Sequence, residues 1–236
     1  MTPDLVYGRR AVREALRGRR EVLELWATER ALKAEDWLAE ARPKPKADRE
    51  LTERADTRDH QGVLALVEPF RYADAYELAA SERPLLAVLD RVTDPRNLGA
   101  VCRSADGAGA TGVVVPAHGS AVVTPAVARA SAGAVEHIPV AVVSNLARYL
   151  EEVKGADLWV YGATGDDGVA TMWETDLSGG TALVLGAEGK GLRPLVRRMC
   201  DALVSIPLAG QVESLNVSVA AALLLYEARR QRTARA

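Results

Sequence analysis

Cysteine, histidine and long apolar runs are all scarce in this sequence, and each scarcity removes a class of function. The two cysteines, Cys102 and Cys200, stand in unrelated contexts without partners at metal-ligand spacing, which suits a reducing cytoplasm. Three histidines, His60, His118 and His137, are scattered, and neither a nucleophile elbow nor a Ser-His-Asp ordering accompanies them. The strongest apolar run, Val217 to Tyr226, contains Ser218 and is too short to cross a bilayer, and the N-terminus has no apolar core of a secretory signal. A cytoplasmic protein without metal or membrane association is therefore expected. The net charge of −2 offers no global basic field, so contact with nucleic acid must rest on local clusters.

What is present is a chain of 236 residues, 48% hydrophobic, enough for one large or two smaller folded units. One local cluster is immediate: Arg9, Arg10, Arg13, Arg17, Arg19 and Arg20 lie against only Asp4 and Glu14. A solvated helix face is the commoner outcome for such a run, with RNA contact the alternative. The spacing predicts a helix over 8–17, a strand over 22–26, a helix over 31–41, a break at Pro43–Lys46, a helix over 49–55 and a strand over 62–67. This reads as a small α/β unit of residues 1–68, followed by a polar linker over 69–83 with a short helix near 74–80.

From residue 84 to 236 the rhythm changes. Continuous apolar runs at 85–89, 112–115, 138–143, 158–161, 181–185 and 203–206 alternate with helices, the pattern of a parallel sheet covered on both faces. Ligands of such sheets sit beyond the carboxyl ends of the strands. Three strand ends carry polar, glycine-bearing or Asn-bearing loops: Asp90 to Arg103 with Asn97 expected to cap a helix, Leu185 to Pro194, and Ile206 to Asn216. In the last, Ser214 stands where an N-cap is expected for a helix that is apolar on nearly every face and so should be buried. Polar residues at the mouth of a buried helix are costly unless paired, so Glu213, Ser214 and Asn216 read either as site residues or as the cap of a core helix.

Two motifs mislead. Gly107 to Gly112 matches Gly-x-Gly-x-x-Gly, but it closes a helix and precedes a strand, the reverse of a dinucleotide fingerprint, and reads as a helix C-cap and turn. Gly-Lys at 189–190 is followed by Gly191 rather than the Ser or Thr of a P-loop. A chemistry that needs neither metal nor nucleophilic side chain is favoured, such as group transfer from an activated donor.

Asn97-Leu-Gly-Ala-Val-Cys-Arg103, Leu185-Gly-Ala-Glu-Gly-Lys-Gly-Leu-Arg193 and Ile206-Pro-Leu208 with Ser214-Leu-Asn-Val-Ser218 resemble the three ordered motifs of the SpoU (TrmH) family of RNA ribose 2′-O-methyltransferases, in the SPOUT superfamily. The resemblance covers about 85–231. The first unit, with Tyr7-Gly-Arg-Arg10 and His60-Gln-Gly62, is similar to the small L30e-like substrate-binding domain of members that methylate a guanosine in the peptidyl-transferase region of 23S ribosomal RNA. The resemblance implies a trefoil-knotted α/β fold, a homodimer with its active site near the interface, and an S-adenosylmethionine pocket lined by Gly186, Ala187, Ile206, Leu208 and Leu215. It puts Asn97, Arg103, Glu188, Ser214 and Asn216 at catalytic positions. Arg9, Arg10, Arg13, His60, Lys190 and Arg193 are the RNA-contact candidates, with a turn-forming role weighed equally for His60.

Methyl transfer to a ribose oxygen needs alignment and removal of the hydroxyl proton. Arg103 is the family's candidate base, yet holding an arginine neutral at pH 7 costs on the order of 8 kcal/mol. A charged Arg103 that clamps a phosphate and stabilises developing alkoxide costs less. Methylation of transfer RNA, or RNA binding without turnover, are the alternatives.

Overall fold

The computed structural model describes residues 2–155, 157–187 and 189–234. In chain order the elements begin with β1 (Asp4–Tyr7), α1 (Arg9–Ala15), β2 (Val22–Ala27), α2 (Glu29–Ala34), α3 (Asp36–Ala41), β3 (Lys44–Pro45), α4 (Asp48–Ala55) and β4 (Val63–Val67). Next come α5 (Ala75–Ala79), β5 (Leu85–Asp90), α6 (Pro95–Ala108), β6 (Gly112–Pro116), α7 (Pro125–Ala130) and β7 (Val140–Val143). The last part holds α8 (Leu146–Val153), β8 (Trp159–Thr164), β9 (Thr181–Gly186), α9 (Pro194–Arg198), β10 (Ala202–Ser205) and α10 (Val217–Ala234). These elements form two compact units, Met1–Arg71 with Val123–His137, and Tyr72–Val122 with Ile138–Ala236.

In the first unit a four-stranded sheet runs in the order β1-β4-β2-β3, with β4 antiparallel to both of its neighbours. Trp26, Leu51 and Leu64 form one buried cluster against it, and the Arg54 guanidinium lies 4.2 Å from the centre of the Trp26 ring. Strand β1 was not expected, and the expected helix over 31–41 is two helices that meet at Glu35. Segment 123–137, expected to lie with the later residues, belongs here. Arg20 secures it: its guanidinium binds both carboxylate oxygens of Glu136 at 2.9 and 2.6 Å, Asp4 at 2.9 Å and the Glu68 carbonyl at 3.0 Å. With side chains only 8% and 1% exposed, Arg20 and Glu136 form a buried pair, and removing one partner of such a pair costs about 3–5 kcal/mol.

All six strands expected in the second unit are present, in one parallel sheet of order β10-β8-β9-β5-β6-β7. Every residue of β5 is buried, and each of its leucines contributes about 1.5–3 kcal/mol of burial. The chain runs outward from β5 through β6 to β7, then crosses to the other side, so the order reverses between β5 and β9. Such a reversal opens a crevice at the carboxyl ends of its two strands. There Asp90 and Gly186 are register partners.

Three local expectations change. Asp94, not Asn97, caps α6, accepting a hydrogen bond from the Arg96 N–H at 2.8 Å, because Pro95 fits the first helical position and needs no acceptor. Asn216, not Ser214, caps α10: its Oδ1 accepts from the N–H groups of Ser218 at 2.9 Å and Val219 at 3.4 Å. Helix α10 also buries only one side, through Val217, Ala221, Leu224, Leu225 and Ala228, and leaves Val219, Leu223 and Tyr226 in solvent at 46%, 39% and 51%. The Gly107–Gly112 segment is the expected helix end, with Gly109 closing α6 at φ 69°.

Candidate active site

Strand β9 ends in a loop that folds back on itself. The Ala187 carbonyl accepts hydrogen bonds from Lys190 N–H at 3.3 Å and Gly191 N–H at 2.9 Å, and Gly189 and Gly191 take left-handed φ values of 70° and 61°. A Cβ on Gly186 would collide with the backbone of Gly191, so the close return of the chain requires glycine. The loop is then pinned to the neighbouring strand. Asp90, its side chain 0% exposed, accepts from Arg193 N–H at 2.8 Å and Arg193 Nε at 2.6 Å. A buried carboxylate must be paired, and Arg193 satisfies it. Sequence reasoning missed Asp90; an acidic residue ending an otherwise apolar strand was the available signal.

Two cavities flank this loop. One, of about 400 Å³, is lined by Gly186, Ala187, Ile206, Leu208, Ser214 and Leu215, with Asp166 and Glu213 among its polar groups. The other, of about 590 Å³, is lined by Asn97, Thr93, Arg193 and Pro194. Ala187, Lys190, Gly191, Leu192 and Val217 line both, so the glycine loop and the first residue of α10 form a shared wall. At that wall Asn216 Nδ2 donates to Asn97 Oδ1 at 3.0 Å, joining the start of α10 to α6. The five residues expected to hold a cofactor thus share one cavity, and Asn97 stands in the next.

Glu188 lies outside the described residues. Arg103 is exposed on α6 and lines neither cavity. Arg197, grouped in sequence with Lys190, Arg193 and Arg198 as a possible phosphate contact, lines the first cavity and pairs with Asp166 at 2.6 Å. That interaction, as hydrogen bond and charge, holds the Asp166 carboxyl below the usual carboxylate range. Burial pushes the Cys102 thiol up to about 12 and Cys200 up to about 11, so neither supplies a thiolate nucleophile at neutral pH.

The candidates for RNA contact separate by their partners. In the first unit Arg9 is held by Glu35 at 3.1 Å and by Gln61 through the Gln61 carbonyl at 3.2 Å. His60 is corrected to a turn residue: it is 2% exposed, its Nδ1 accepts from Gly62 N–H at 3.0 Å, and its Nε2 lies 2.9 Å from Thr52 Oγ1. Both ring nitrogens are engaged, leaving none for RNA. Arg10 and Arg13 are exposed on α1. In the second unit Arg193 is committed to Asp90, whereas the exposed Lys190 faces both cavities. No group of metal-ligating side chains occurs among the described residues, and none of their helices is long and apolar enough to cross a membrane.

Comparison with known proteins matches two regions of the sequence to known families. Residues 84–226 match the model of the SpoU rRNA methylase family, and residues 5–73 match that of RNA 2′-O ribose methyltransferase substrate binding. The chain is 45% identical over 221 residues to the 23S rRNA (guanosine-2′-O-)-methyltransferase RlmB of Pseudomonas syringae, covering 84% of this chain and 88% of that one. Among solved structures, an RNA 2′-O ribose methyltransferase superposes with a TM-score of 0.83 at 33% identity, over 98% of this chain and 90% of that one. The methyltransferase AviRb of Streptomyces viridochromogenes, crystallised with AdoMet, gives 0.79 at 30% identity, over 99% and 92%. With both of its sequence regions matched and its motif loops gathered at one end of the sheet, this chain belongs to the SpoU rRNA methylase family.

Proposed function

We propose that this chain methylates the ribose 2′-hydroxyl of a guanosine in 23S ribosomal RNA, using S-adenosylmethionine. The observation that carries the reading is the pair of adjoining cavities with the glycine loop as common wall and the Asn216–Asn97 hydrogen bond beside it. The first cavity fits the cofactor. Its volume lies in the range of about 300–1,000 Å³ typical of small-molecule sites. Gly186 lacks the Cβ that its tight turn would exclude, Leu185, Ile206, Leu208 and Leu215 offer apolar walls, and Asp166, Glu213 and Ser214 offer acceptors for hydroxyl and ammonium groups. S-adenosylmethionine held there supplies an electrophilic methyl group on sulfur, which needs no metal.

The chain's own residues then align and neutralise. Asn97 and Asn216 fix the boundary between the two cavities, and the Asn216 cap ties that boundary to the start of α10. As the 2′-hydroxyl loses its proton to solvent, negative charge develops on its oxygen, which would bond to the methyl carbon as the sulfur–methyl bond breaks and a neutral thioether leaves. Arg103 acts as a cation there. It is exposed and has no hydrogen bond or ion pair among the described residues, so nothing around it offsets the cost of neutralising it. Arg10 and Arg13 on α1, and Lys190 at the shared wall, supply phosphate contacts.

The enzyme works as a homodimer. Val219, Leu223 and Tyr226 recur at helical spacing on the exposed side of α10, and an apolar stripe of this kind marks an interface. Arg103 lines neither cavity of its own chain, and its helix packs against α10, which leaves it available to a site that the second copy completes. Sedimentation showing a monomer at micromolar concentration sinks the dimer. Action on ribosomal RNA puts the protein in the cytoplasm.

The deciding experiment transfers labelled methyl from S-adenosylmethionine to purified RNA. Label is expected in 23S ribosomal RNA, on a guanosine ribose. Label confined to transfer RNA, or no label at all, overturns the reading. Arg103→Ala should lower turnover about 100-fold to 1,000-fold, the range for losing a group that stabilises developing charge. Arg103→Lys should recover little of this, since an ammonium lacks the guanidinium fork; near-normal turnover from that variant argues against the clamp.

A further inference from the structure

Arg91 follows the buried Asp90 directly at the end of β5 and has a φ of 62°, a backbone conformation that favours glycine. Among the other described non-glycine residues with positive φ, Arg42 and Asp56 close α3 and α4, where a left-handed residue is ordinary. Arg91 caps no helix. It turns the chain away from the central strand at the β5–β9 crevice, and strained residues that persist at such places often serve a site. Its side chain is exposed, lines the second cavity with Thr93, Asn97 and Lys190, and runs along Gly119.

Charge in this cavity is unevenly spent. Asp94 is taken by Arg96, through the Arg96 N–H at 2.8 Å and the guanidinium at 3.2 Å. Arg193 is taken by Asp90 at 2.6 Å. Arg91 and the Lys190 side chain make no hydrogen bond or ion pair among the described residues. Among the described residues the cavity therefore presents two uncommitted cations next to Asn97, and the carboxylates of Asp94 and Asp90 are already neutralised. An anion is the ligand that this arrangement fits.

We propose that Arg91 is a positioning residue for the RNA substrate, its guanidinium holding a backbone phosphate next to the target ribose at the mouth of the second cavity. This rests on the methyl-transfer reading above. The planar fork matches two phosphate oxygens at once, and the left-handed turn at residue 91 fixes where that fork starts. Lys190 adds a point charge from the shared wall.

The test compares wild type with Arg91→Gly and Arg91→Lys in the full chain, using a 23S ribosomal RNA transcript at several salt concentrations. Glycine adopts a positive φ freely, so Arg91→Gly should melt at or above the wild-type temperature and bind S-adenosylmethionine unchanged. Its RNA affinity should fall about tenfold or more, and the slope of log affinity against log salt should drop by about one. The loss should appear in KM, with turnover on saturating RNA kept within a few fold. Arg91→Lys should restore the salt slope and only part of the affinity. Unchanged affinity and slope in Arg91→Gly overturn the proposal. Should wild type bind the transcript but transfer no methyl while Arg91→Gly still loses affinity, the phosphate contact stands and the methyl-transfer reading falls.

Discussion

The loop after β9 is internally braced, with two hydrogen bonds onto the Ala187 carbonyl and the Arg193 anchor in Asp90, whereas residues 206–215 after β10 make no hydrogen bond among the described residues and are exposed from Pro207 onward. Both loops line the same cavity, and both carry glycine. The first is finished before any ligand arrives. The second has no such bonds to hold its form, so a ligand that fixes it bears the cost of ordering. Preorganisation and adaptability are thus divided between two neighbouring loops rather than shared by each.

Three substitutions grade this contrast. Gly186→Ala should have the largest effect, because its Cβ meets the Gly191 backbone, which cannot swing aside as a side chain can. We expect a cost of about 3 kcal/mol or more, a melting temperature lower by roughly 6–12 °C, and loss of S-adenosylmethionine binding. Calorimetric titration and a thermal melt read both. Asn216→Ala should come next, costing about 1 kcal/mol for the lost cap of α10 and lowering turnover through the lost bond to Asn97; unchanged turnover would separate the cap from the site. Gly210→Ala should do least. Gly210 has nothing within 4 Å of an added Cβ and is not among the glycines at positive φ, so stability should change by less than about 1 kcal/mol. A Gly210→Ala variant as damaged as Gly186→Ala would erase the distinction between the loops.

The sheet was readable in the sequence because each of its six strands is a short continuous apolar run, as burial on both faces demands. The residues that line the first cavity were named through the family resemblance, whose motifs hold their glycines and strand-end residues close together in sequence. Other features depend on partners far away in the chain. Nothing near Glu136 indicates that it pairs with Arg20, and nothing near Arg193 indicates Asp90. The arginine cluster of the first twenty residues looked uniform, yet Arg20 is buried in a carboxylate network and Arg9 is held by Glu35, while Arg10 and Arg13 remain exposed. Composition counts charges; only the fold shows which are already neutralised. The final helix was misjudged for a related reason. Its apolar residues encircle the axis, but only one side has a partner within a single chain, which leaves Val219, Leu223 and Tyr226 outside.

Segment 123–137 carries a consequence for anyone dividing this protein into pieces. Because it belongs to the first unit, the chain passes from one unit to the other three times, and no single cut separates them. A fragment started at Tyr72 retains Glu136 but discards Arg20, stranding a carboxylate that the whole chain buries beside its counter-charge. Grafting the first unit onto another catalytic body would likewise have to bring fifteen residues from the middle of the sequence. Recombination at the obvious linker would yield chimaeras with an unpaired charge in the interior.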